Sequence, residues 1–158
     1  MKFKLNYIFI PLITILVSWL GSSVTTANMG WYMDINKPAW TPDGAIIGLV
    51  WTIIFILTTI SAFIIWNKKV SDQYISRRRW ALVIFGLNAV LNVGWSWLFF
   101  GRGLFGLATI EAVLLGLSVA TIILLVRPFS RLAAGLLYPY VLWVFFASYL
   151  TYQVWLLN

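Results

Sequence analysis

Few residues in this sequence have reactive chemistry to offer. There is no histidine and no cysteine, which removes the usual general base near neutral pH, the commonest metal ligands and any thiol nucleophile. Glu111 is the one carboxylate inside a long apolar run. At membrane depth such a group reads either as a functional residue or as a protonated or internally paired structural one. No second acid stands near it, so paired-carboxylate catalysis has no support. Asn88 and Asn92 are one helical turn apart and Trp95 follows three residues later, which puts all three on one helix face. An amide exposed to lipid tails is costly, so this face should point inward, toward partner helices or a ligand. Tryptophan is abundant, with ten in the chain. Most lie near the ends of apolar runs, where the aromatic belt at the membrane interface accounts for them, but Trp51, Trp95, Trp97 and Trp143 do not fit that account as well. Ile47, Trp51 and Phe55 form a stripe at i, i+4, i+8, and Trp143 and Ala147 form a similar pair. Such stripes serve ordinary packing or line a flat apolar pocket.

The elements that must carry these residues follow from composition and punctuation. Of 158 residues, 62% are hydrophobic and 9% charged, against about 45–50% apolar and about 25% charged in an ordinary soluble domain. The apolar residues fall into runs of membrane-spanning length. Spans are predicted at about 7–26, 45–66, 80–100, 104–126 and 132–157, giving an all-α, polytopic five-transmembrane-helix bundle in a single domain, 1–158. The connections are a Pro-containing segment (28–44), a charged stretch (67–79) and two short turns (101–103 and 127–131). Short connections imply antiparallel neighbours. The N-terminal run also has the basic start and small-residue end of a signal peptide, with Ala27 as the cleavage point, but its apolar stretch exceeds the roughly 7–15 residues of a signal core. A retained helix is the expectation.

Basic residues set the orientation. Lys2, Lys4, Lys68, Lys69, Arg77, Arg78, Arg79, Arg127 and Arg131 fall on one side of a five-span topology, and only Lys37 and Arg102 on the other. The positive-inside rule then places the N-terminus in the cytoplasm and the C-terminus outside. The net charge of +7 is explained by topology and by attraction to the lipid bilayer, so no nucleic-acid partner is required. Ala108, Ala112, Gly116 and Ala120 form a ridge of small residues at four-residue spacing. It serves close helix packing, within the chain or in a homodimer.

Four segments taken in order, WYMDINKPAWTPD (31–43), GLVWTIIF (48–55), LNVGWSWLFFG (91–101) and LLYPYVLWVFFASYLTYQVW (136–155), resemble the translocator protein family, also called tryptophan-rich sensory proteins or peripheral benzodiazepine receptors. The resemblance implies a five-helix bundle that binds tetrapyrroles such as protoporphyrin IX, and small hydrophobic drug-like ligands of the isoquinoline-carboxamide and benzodiazepine type, beneath the long first loop. Carried onto this chain, it puts Trp51 and Trp143 in the pocket with Asn92, Trp95 and Ala147, and makes the loop through Pro38 and Pro42 a lid. Ile47, Phe55, Asn88 and Tyr32 complete the expected site, with Lys37, Arg102 or loop amides available to porphyrin propionates. No cofactor is required, and without His or Cys a metal-free ring suits the site better than haem. Two departures matter: Thr41 stands where many members have histidine, and Tyr152 lacks the following basic residue of the sterol motif, so no dedicated sterol site is expected. The resemblance leaves three activities open. They are tetrapyrrole binding and sensing, light- and oxygen-dependent porphyrin breakdown with Trp51 and Trp143 as catalytic redox partners, and transport of porphyrins or other small hydrophobic molecules. A bacterial inner membrane is the expected location.

Overall fold

The computed structural model describes residues 5–158, so Lys2 and Lys4 lie outside the described residues. Every regular element among them is helical: α1 (Asn6–Ala27), α2 (Met29–Asp34), α3 (Gly44–Asn67), α4 (Asp72–Ser96), α5 (Phe105–Val126), α6 (Arg131–Gly135) and α7 (Tyr138–Leu157). Five stretches are long and apolar enough to cross a bilayer, and they coincide with the five predicted spans.

Two features differ from the hydropathy reading, the start of α4 and the continuity of the fifth span, each for a local reason. The charged stretch 67–79 is mostly helix, because hydropathy marks where lipid ends and not where a helix must end. Ser71 takes the extended conformation of an N-cap and Asp72 puts a carboxylate in the first turn, where the helix dipole favours it. The third span then continues past Ser96 into a π-helical turn, Trp97–Gly101. Gly103, at φ +62°, closes that end in a left-handed conformation that glycine adopts without strain. The fifth span is not one helix, because Pro139 at the start of α7 has no N–H to continue the α6 ladder. The chain therefore steps through Leu136 and Leu137 between α6 and α7.

The long helices close into a ring. α1 packs against α3 and α4, α4 against α5, α5 against α7, and α6 and α7 complete the circuit to α3. Ser61 of α3 seals the last seam by donating to the Ala133 carbonyl at 2.8 Å. α5 is the most enclosed helix and α1 the least. The small-residue ridge of α5 is used inside the chain: a Cβ at Gly116 would stand 3.2 Å from Phe145 and 3.4 Å from Val144, both on α7. Close backbone approach of this kind substitutes for the hydrophobic drive that lipid cannot supply.

Candidate functional site

Ring closure brings the polar face of α4 against two other helices. The Asn92 amide nitrogen donates to the Tyr140 hydroxyl at 3.2 Å, and that hydroxyl donates to the Asn88 carbonyl oxygen at 3.1 Å. The Asn88 amide nitrogen donates in turn to Ser118 at 2.9 Å, whose hydroxyl ends the chain on the Leu115 carbonyl at 2.7 Å. All four side chains are buried. A directional chain of this sort orients each member and fixes the mutual rotation of α4, α5 and α7.

The network forms the inner wall of a cavity of about 240 Å³ between α1, α3 and α4. Asn88, Asn92 and Tyr140 face it from one side, and Ile10, Thr14 and Val17 of α1 cover it from the other. Phe55 and Thr58 line it from α3, where the Thr58 hydroxyl has no hydrogen-bond partner. Next to this space, the Trp51 ring packs 5.7 Å from Phe55 and edge-on at 5.9 Å to Tyr140. Phe55, Asn88, Asn92 and Trp51 of the expected site therefore converge on one place.

The remaining expected residues lie elsewhere. Trp143 packs on Phe146 at 5.2 Å, while Trp40 of the first loop stacks on Tyr149 at 5.7 Å and meets Phe146 at 5.9 Å. Trp95 stacks on Phe99 at 5.1 Å in a second aromatic cluster at the π-helical turn, and Tyr32 closes on Phe100 at 5.1 Å in that same cluster. Burial pushes the Tyr32 phenol above its ordinary pKa, which keeps it protonated. Ile47, Pro42 and Ala147 are half-buried. Near the first loop, Trp40, Trp143, Phe146 and Tyr149 pack on one another, and the cavity described above lies beside the second half of α3.

The first loop is anchored rather than free. Asn36 and Asn158 exchange hydrogen bonds of 3.0 and 2.9 Å, joining the loop to the end of α7. Lys37 is occupied as well: its ammonium donates to the Tyr32 and Met33 carbonyls and lies 4.5 Å over the Tyr32 ring. Arg102 sits over the Trp97 ring at 4.8 Å. Besides Thr58, the buried polar groups without a partner among the described residues are the Asn6 amide nitrogen, the Trp95 and Trp143 indole nitrogens and both oxygens of Glu111. Glu111 faces Gly94, where a Cβ would stand 3.9 Å from its carboxyl oxygen.

Sequence reading missed Tyr140, Ser118 and Thr58. Tyr140 lies inside a motif quoted for the resemblance, but nothing local shows that its hydroxyl meets the Asn88–Asn92 face of α4.

Five lipid-length apolar helices closed around a cavity with one polar wall define a multi-pass α-helical membrane protein. The chain belongs to the TspO/MBR family, which it matches over residues 9–156. It is 30% identical over 158 residues to the Tryptophan-rich protein TspO of Bacillus cereus, covering 100% of both chains. The Tryptophan-rich protein TspO of Chlorobaculum tepidum is 32% identical, over 90% of this chain and 89% of its own. The Translocator protein of Sus scrofa is 33% identical, over 89% of this chain and 85% of its own.

Proposed function

We propose that this protein binds a tetrapyrrole, with protoporphyrin IX as the type ligand, and acts on or reports its presence within the membrane. The observation that carries this reading is the packing of Trp51 against Phe55 and, edge-on, Tyr140 beside a cavity whose opposite side is largely apolar. A flat macrocycle gains burial and ring contact there, worth about 0.5–1.5 kcal/mol per aromatic pair beyond area. Ligand pockets for drug-sized molecules run to about 300–1,000 Å³, so the present 240 Å³ must widen for a macrocycle. The helix to move is α1, the least enclosed of the five.

The test is an absorption titration of the purified protein with protoporphyrin IX in the dark. Saturable uptake at one ring per chain is expected, and a linear, non-saturating rise would defeat the reading. Orientation follows the charge asymmetry: the loop at Lys68 and Lys69 faces the cytoplasm of a bacterial inner membrane, and Asn158 faces outward. Reporter fusions at residues 69 and 158 should give opposite signals, and a cytoplasmic signal at 158 would reverse the assignment.

A further inference from the structure

The cavity is closed toward α3 and open toward lipid between α1 and α4. On the α3 side, Thr14 and Thr59 share a hydrogen bond of 2.8 Å and Phe9 meets Trp66 edge-on at 5.0 Å. On the α4 side, a Cβ at Gly21 would stand 3.2 Å from Ser96 at the end of α4, and one at Gly101 in the π-helical turn that follows would stand 3.4 Å from Val24. Gly86 on α4 is exposed and would have nothing within 4 Å of a Cβ, and Ile13 opposite on α1 is 48% exposed, although both line the cavity.

The lip of this opening continues along α4. Gly86, Val83 and Arg79 share one stripe at i, i+3, i+7, and Arg79 lies about 10 Å below Gly86 at 1.5 Å of rise per residue. A second, shallow concavity covers the lower part of the stripe, lined by Arg79, Trp80, Val83 and, at its foot, Ile75, Ser76 and Asp72. Trp80, 57% exposed, marks the level of the head groups. Among the described residues the Arg79 guanidinium makes no hydrogen bond or ion pair, whereas neighbouring Arg78 donates to the Lys68 carbonyl at 3.1 Å.

We propose that this groove is a binding site for an anionic glycerophospholipid, with its phosphate on Arg79 and one acyl chain running along Val83 and through the Gly86–Ile13 opening into the cavity. A guanidinium at head-group depth selects phosphate. The lip above it is apolar at Val83 and Gly86, and the cavity at its present 240 Å³ admits a chain without the widening a macrocycle requires. The bilayer supplies this amphiphile at the mouth itself.

The experiment is native mass spectrometry of the full chain equilibrated with equal amounts of dioleoylphosphatidylglycerol and dioleoylphosphatidylcholine, with no porphyrin present, so the outcome is independent of tetrapyrrole binding. Wild type should retain one phosphatidylglycerol in preference by about fivefold, the effect of one basic residue near the surface. Arg79→Gln should equalise the two lipids, while Lys69→Gln, the same charge change outside the groove, should not. Gly86→Leu fills open space and improves helix propensity, so the fold should survive, yet it should remove most retained lipid of both kinds. Equal retention in wild type, equal effects of Arg79→Gln and Lys69→Gln, or unchanged retention in Gly86→Leu would each overturn the site.

Discussion

Trp51→Ala should weaken protoporphyrin IX binding about 5- to 150-fold, the equivalent of roughly 1–3 kcal/mol for a large apolar side chain withdrawn from a binding surface. Trp51 backs the cavity wall, packing on Phe55 of its own helix and on Tyr140 of α7. Truncation removes both contacts and leaves space a ring cannot stack against. The loss should appear in the dark titration with little change in melting temperature, because the side chain is only half-buried. Unchanged affinity in a folded variant would move the macrocycle elsewhere. Phenylalanine separates contact from electron transfer at the same position. Trp51→Phe and Trp143→Phe retain much of the apolar contact and should bind within a few-fold of wild type. If an indole passes an electron to the excited ring, illumination in oxygen should bleach the porphyrin bound to these variants much more slowly than that bound to wild type. Equal decay in all samples would leave the protein a binder alone.

Gly116→Leu should cost about 1–3 kcal/mol of stability, the usual penalty for overfilling a packed interface. The first carbon added at this position already stands 3.2 Å from Phe145 and 3.4 Å from Val144. The remaining atoms have nowhere to go unless α7 shifts away from α5. That shift would also pull Tyr140 from Asn88 and Asn92, so ligand binding should fall with stability. Gly48→Leu is the control: it sits on the exposed face of α3, with nothing within 4 Å of an added carbon, and should melt at or above wild type. Thermal melting in one detergent, with both variants side by side, decides the matter. Equal melting of the two would show that α5 and α7 are not held by this contact.

Which features were legible in the chain follows from how far each depends on distant residues. Five spans, their lengths and the inward turn of the Asn88–Asn92 face were readable because lipid penalises every polar or charged group within a short, local window. The stripe through Trp51 and Phe55 was readable because helical spacing is local too. The start of α4 at Asp72 and the break before α7 were misjudged, since hydropathy reports the solvent of a segment while capping residues and Pro139 decide its backbone. Tertiary structure alone decided the rest. The partners of Asn88 and Asn92 lie 30 to 52 residues away on α5 and α7, and the first loop is tied to a residue 122 positions on. In a bilayer all five helices present apolar faces to lipid as well as to one another, so periodicity cannot say which face meets which neighbour. The order of the ring, the use of the α5 ridge against α7 and the opening between α1 and α4 emerge only when small residues let particular backbones approach and buried amides find their acceptors.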